Sequence, residues 1–165
     1  MPAPSLKHRP DPQKSLVGFA VGDVAYAVPI ADVREIVNPL LLTELPHAPP
    51  AVVGVADHRG DVIPIVDLRA RFGLRSLSDR QRSKWILVHV EDRIIGLVVD
   101  RVLDVFGTSG AEIRPAPSLG GGEEERGILG VTTHDGVLTF VLDVSRFDEL
   151  VRPMAQAGLL PGRSA

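Results

Sequence analysis

The sequence predicts a mainly all-β fold built from two similar small units, and three observations carry that prediction. Apolar residues make up 44% of the 165 residues but aromatic ones only 4%, so the core must be aliphatic. Val, Leu and Ile dominate the middle of the chain, and Val and Ile favour strands. Fourteen Pro and sixteen Gly suit many tight turns and would break long helices. The third observation is internal repetition. GVADHRGDVIPIVDL (54–68) aligns with GVTTHDGVLTFVLDV (130–144) without a gap, so that Gly54/Gly130, His58/His134, Gly60/Gly136 and Asp67/Asp143 coincide. YAVPIADVREIV (26–37) and IGLVVDRVLDVF (95–106) precede them, each followed by a Pro-containing loop. Each unit holds too few strands for a large core of its own. The two should pack through an apolar seam with a groove between them.

Taken in order, residues 1–14 are polar and Pro-rich and read as a disordered tail. They lack the apolar core of a secretory signal. The ordered body is expected over 15–152. Leu16–Val21 and Val24–Ile30 flank Gly22-Asp23 as a hairpin. Ala31–Val37 places Val33, Ile36 and Val37 at helical spacing and reads as a single helical turn. Pro39, Pro46, Pro49 and Pro50 mark a loop. Val52–Ala56 and Val62–Val66 are strands around an Arg59-Gly60 turn, and Leu68–Leu74 is a short helix capped by Gly73. Trp85–Val90, Arg93–Val99 and Leu138–Leu142 are further strands, with a short helix over 145–151. Gly120–Gly122 followed by three Glu reads as a mobile acidic loop, and 153–165 as a flexible C-terminal tail.

Composition and motifs exclude several classes of function. A net charge of −3 with interspersed signs argues against nucleic-acid binding, which needs a basic patch. The absence of cysteine removes disulfides, thiolate metal sites and cysteine nucleophiles. The five His show no ligand spacing, so neither metal nor cofactor is expected. No apolar run has the roughly 18 residues of a spanning helix, so no direct membrane insertion is expected and the cytoplasm is the expected compartment. Gly120–Gly122 lacks the Lys-Ser/Thr of a phosphate loop. Asp67 and Asp143 follow apolar strands and suit capping of the next turn. The competing reading is a small β enzyme using Asp67, Asp143 or His58, which requires a closed pocket around them. Asp57 and His58 are adjacent and would face opposite ways in a strand. Strong packing signals without a catalytic constellation suit a binding module. Arg59 in its Gly-flanked turn and Glu35 among Val33, Ile36 and Val37 are its exposed-looking features.

The body also resembles the CheW family of chemotaxis coupling proteins. The resemblance runs from Leu16 to Leu150, through FAVGDVAYAVPIADVREIV (19–37), TELPHAPPAVVGVADHRGDVIPIVDLRARFGL (43–74), IIGLVVDRVLDV (94–105), IRPAP (113–117) and ILGVTTHDGVLTFVLDVSRF (128–147). It implies two SH3-like five-stranded barrels around a shared apolar interface, with strands crossing between barrels, and no enzymatic activity. The implied partners are the regulatory domain of a CheA-type histidine kinase, the cytoplasmic tip of methyl-accepting chemoreceptors, and other CheW-like domains in an array. Receptor-side positions fall on Val33, Glu35, Ile36, Arg59, Leu97 and Val105. Kinase-side positions fall on Leu40, Leu41, Leu42 and Thr43 and on Arg114, Ser118 and Leu119. The turn reads Asp57-His58-Arg59-Gly60 where the family has Asn-Leu-Arg-Gly, which leaves Asp57 free to pair with Arg59. A chemotaxis-like pathway for gliding, twitching or development fits this divergence. A fragment of a kinase or of a CheV-type protein is the alternative within the family.

Overall fold

The computed structural model describes residues 15–75, 77, 79–107, 113–115, 127–156, 158 and 160. The expected disordered tail (1–14), the Gly120–Glu125 loop, Ser118 and Leu119 lie outside the described residues. The described residues form ten strands: β1 (Ser15–Val21), β2 (Val24–Pro29), β3 (Val33–Val37), β4 (Val52–His58), β5 (Asp61–Asp67), β6 (Lys84–Val90), β7 (Arg93–Val99), β8 (Arg101–Gly107), β9 (Ile128–His134) and β10 (Val137–Leu142). Among the described residues, helix is confined to short 3-10 turns and two α-helices, α1 (Leu68–Arg71) and α2 (Asp148–Gln156).

The strands form two five-stranded sheets, ordered β3-β6-β7-β5-β4 and β8-β1-β2-β10-β9. These orders map onto each other when every strand of the first half is replaced by its counterpart in the second. Each sheet therefore takes two strands from one half of the chain and three from the other. The chain leaving β3 returns to β4 through paired hydrogen bonds between Thr43 and Val55 (2.8 and 2.9 Å). The chain leaving β8 returns to β9 in the same way between Arg114 and Val131 (both 2.8 Å). Each return joins the two edges of its sheet into a barrel. The aligned glycines explain themselves here. A Cβ on Gly54 would lie 2.2 Å from the Thr43 carbonyl oxygen, and one on Gly130 would lie 2.4 Å from that of Arg114.

Alternation sorts the apolar residues into three cores. One side of β1, β2, β6 and β7 (Val17, Phe19, Val21; Tyr26, Val28; Ile86, Val88, Val90; Ile95, Leu97, Val99) forms the seam between barrels, joined by Phe147, Val151 and Met154. The other side fills the barrels. Ala56, Ile63, Ile65, Trp85, Leu87 and Val98 fill the first, here the Trp85 barrel. Leu16, Ala27, Phe106 and Val141 fill the second, the Phe106 barrel. Burial on both faces is why these four strands read as near-continuous apolar runs.

Two expectations are corrected. Ala31–Val37 is not a helical turn: a 3-10 turn ends at Asp32 and Val33–Val37 is a strand. Its apolar positions fit both periods, and pairing with β6, some fifty residues away, decides for the strand. The body also does not end at Arg152. Helix α2 runs through Pro153 to Gln156, with Val151 and Met154 buried in the seam, and Leu160 is buried beyond it. Pro153 removes one backbone donor, but an apolar face three residues in spacing outweighs that loss.

Candidate functional site

The β4–β5 hairpin closes with a two-residue turn, Arg59-Gly60, pairing His58 with Asp61. Both turn residues have positive φ, 55° for Arg59 and 88° for Gly60, the signature of a type I′ turn. Gly suits that conformation, whereas an Arg in the left-handed region costs roughly 1 kcal/mol or more. Arg59 donates from Nη2 to Glu35 Oε1 at 2.8 Å while 67% of its side chain stays exposed. An exposed pair of that kind returns less than about 1 kcal/mol. The turn thus holds Arg59 outward at some cost to stability. The other carboxylate oxygen of Glu35 lies 2.7 Å from Nε2 of His58, whose side chain is only 11% exposed. That contact is a close approach of charge to imidazole rather than an aligned hydrogen bond. Asp57 does not pair with Arg59; its Oδ1 accepts from the Gly60 amide at 2.9 Å and caps the turn.

The remaining receptor-side positions do not form one floor under Arg59. Glu35 and Ile36 leave β3 on opposite faces, Ile36 being 41% exposed. Val33 is half-buried against the seam. Leu97 is fully buried in the seam and lines no groove, because its face of β7 is covered by the other barrel. Val105 is exposed on the Phe106 barrel.

The second barrel repeats the left-handed hairpin turn and the acid–histidine contact with different residues. The β9–β10 turn is Asp135-Gly136, with φ of 51° and 78°. His134 Nε2 meets Asp104 Oδ2 at 3.1 Å, as His58 meets Glu35. Phe106 stacks on the His134 ring at 3.9 Å. Asp135 stands where Arg59 stands in the first barrel, and lies 3.5 Å from His134. Between the barrels opens a cleft of about 320 Å³, lined by Ile36, Val37, Asn38, Arg82, Lys84, Asp100, Arg101 and Val102.

The profile of the CheW-like domain matches residues 15–150. The chain belongs to the CheW-like family. It is 36% identical over 140 residues to the chemotaxis protein CheW of Rhizobium meliloti (strain 1021), covering 85% of this chain and 90% of that one. It is 34% identical over 140 residues to protein FrzA of Myxococcus xanthus, covering 82% and 84%. Among solved structures, scaffolding protein TtCheW from Thermoanaerobacter tengcongensis superposes with a TM-score of 0.68 at 26% identity, covering 79% of this chain and 88% of that one. The two SH3-like barrels and the reading as a CheW-like chemotaxis adaptor both stand on these likenesses. The solved relative is described as a scaffolding protein, and the family likeness supports a scaffold role for the chain.

In this CheW-like frame the kinase-side positions separate. Leu41 is 89% exposed, whereas Leu40 and Leu42 are half-buried against the Trp85 core. Thr43 and Arg114 are the two barrel-closing residues, equivalent to one another and both exposed. The residues considered for catalysis have structural partners. Asp67 accepts from the Arg69 amide at 3.0 Å and Asp143 from the Ser145 amide at 3.1 Å, each capping the turn that follows its strand. Neither of them, nor His58, lines the cleft. Sequence reasoning missed Asp104 and Arg101. The signal for Asp104 lay in the repeat, which aligns it with Glu35, whereas Arg101 aligns with Asp32 and had none. Among the described residues no helix is long and apolar enough to cross a membrane.

Proposed function

We propose that this CheW-like chain couples the cytoplasmic tip of a methyl-accepting chemoreceptor to the regulatory domain of a CheA-type histidine kinase, in the cytoplasm beside receptor arrays. The observation that supports this most is Arg59, held at positive φ on a hairpin tip with its guanidinium exposed and steadied by Glu35. A guanidinium presents donors in a rigid fork, suited to the carbonyls or a carboxylate of a helical tip. Ile36 and Val105 offer exposed apolar contact, while Leu41, Thr43 and Arg114 are the kinase-side contacts. Leu41 is an apolar side chain with no cover, which suits a partner surface. The test is affinity for a receptor-tip fragment and for the kinase regulatory domain. Arg59→Ala is expected to weaken receptor binding at least about tenfold, the loss of about 1.4 kcal/mol common for a central interface Arg, and to leave kinase binding unchanged. Leu41→Glu is expected to do the reverse with an unchanged fold. Wild-type receptor affinity in Arg59→Ala overturns the assignment.

A further inference from the structure

Three potential ligand side chains converge at the tip of the β9–β10 hairpin. Asp104 comes from β8, His134 ends β9 and Asp135 opens the turn. Their ligand atoms all lie within 4.8 Å of one another. His134 Nε2 is 3.1 Å from Asp104 Oδ2 and 3.5 Å from Asp135 Oδ2. Zinc bound tetrahedrally at about 2.0–2.1 Å sets its ligand atoms roughly 3.3 Å apart. Those two separations therefore already match the edge of a coordination shell. The imidazole is also held in place, because its ring lies 8° from parallel on Phe106, which is buried in its barrel. Sequence spacing hid the cluster, since Asp104 and His134 stand 30 residues apart.

Charge points the same way. Among the described residues neither Asp104 nor Asp135 forms an ion pair with an Arg or Lys; both meet His134. Two carboxylates this close repel each other, and a proton on the imidazole would balance only one of them. The Trp85 barrel resolves the same geometry with a cation of its own. There Glu35 and His58 make the equivalent contact, and the third corner is Arg59, whose guanidinium meets Glu35 at 2.8 Å. One copy of the acid–histidine nest thus carries a built-in cation, and the other presents a second carboxylate at that corner. We propose that Asp104, His134 and Asp135 bind a divalent cation of the zinc class, with water as the fourth ligand. An imidazole beside two carboxylates suits zinc better than magnesium, which keeps an all-oxygen octahedral shell. The site lies on the other barrel from Arg59 and goes beyond the receptor reading.

The test is calorimetric titration of zinc chloride into the full chain, first treated with a chelator and dialysed. A single zinc site is expected, at least about tenfold tighter than binding of magnesium chloride. Zinc should also raise the melting temperature of the wild type, because it binds the folded state. His134→Gln and Asp135→Asn should each weaken zinc binding at least about tenfold and remove that rise. Asp135 is 85% exposed, so Asp135→Asn reads the site without disturbing the core should His134→Gln loosen its packing on Phe106. Arg59→Asp gives the Trp85 barrel the same ligand types and should create a second zinc site. No zinc binding, equal affinity for magnesium, or unchanged zinc affinity in Asp135→Asn overturns the proposal; the last result shows adventitious binding to other histidines only. A wild-type stoichiometry in Arg59→Asp overturns the assignment of Arg59 as the built-in cation. Receptor-tip affinity of Arg59→Ala is a separate measurement and moves with none of these outcomes.

Discussion

In the Trp85 barrel an indole and the side chains of Ile63, Ile65, Leu87 and Val98 pack inside, while in the Phe106 barrel the interior cluster is Leu16, Ala27, Phe106 and Val141. The outer surfaces differ in the opposite sense. Leu103, Val105, Leu129, Val137 and Leu138 are exposed on strands of the Phe106 barrel, against Ile36 and Val62 on strands of the Trp85 barrel. What the two share is narrower: a glycine against the closing strand, an aspartate capping the turn after the last strand, and an acid–histidine contact below a left-handed turn. These shared parts are demanded by the chain path. The turn residue itself, Arg59 in one and Asp135 in the other, is not, so partner chemistry is free to differ there.

The largest expected effect sharpens the contrast in cores. Trp85→Ala should cost about 3–5 kcal/mol in denaturant melts, and Phe106→Ala no more than the lower end of that range. Equal costs would mean that the difference in interior side chains has no energetic counterpart.

Next come the glycines that let each barrel close. Gly54→Ala and Gly130→Ala should each destabilise by about 1–3 kcal/mol, because the new methyl meets a backbone carbonyl that cannot swing away. Gly54→Ala should be the worse, since Gly54 also sits at a φ of +151°. The reverse order, read from urea midpoints, would break the equivalence of the two closures.

Asp100 ties the barrels together, joining the β1–β2 turn of one to α1 of the other. The Arg69 hydrogen bonds hold its carboxyl below the usual carboxylate range, against the opposing effect of burial. A depressed folded-state pKa adds stability that is complete above the unfolded value of about 3.9 and is lost as pH falls through the folded value. Asp100→Asn should therefore cost about 1–2 kcal/mol at neutral pH, and the gap to wild type should close in strong acid. A gap that stays constant from neutral pH into strong acid would show that the charge of Asp100 is irrelevant.

The smallest effect concerns the tips. Arg59→Asn relieves the left-handed backbone and should raise stability by about 0.5 kcal/mol while weakening receptor binding. Asp135→Asn, already in a favoured residue class, should leave the melting temperature unchanged. A destabilised Arg59→Asn would show that the Glu35 pair outweighs the strain.

The sequence made the doubly buried strands legible, because β1, β2, β6 and β7 are apolar on both sides, and the repeat made the two-barrel plan legible. The edge strands β3 and β8 were not, because their identity rests on pairing across the chain and not on local pattern. Arg59 stood out from its Gly-flanked turn, but its partner did not. Asp57 is the near neighbour in sequence, yet the hairpin turns it back onto Gly60 and brings Glu35 across from β3. The seam itself was expected, but not that Leu97 lies in it: a residue that looks like a groove wall in one unit is covered once the second unit packs on it.

Strand exchange between the halves has a consequence for synthesis. The Trp85 barrel needs β6 and β7, so it cannot close until Val99 has emerged, and the Phe106 barrel must wait for β10. A nascent chain that stops at β5 holds β1, β2, β3, β4 and β5 with neither barrel complete, and its seam-facing residues have nothing to cover them. Vectorial translation therefore passes through a long window of exposed strand edges before either half gains protection, and a chain split after β5 should regain structure only when both pieces meet.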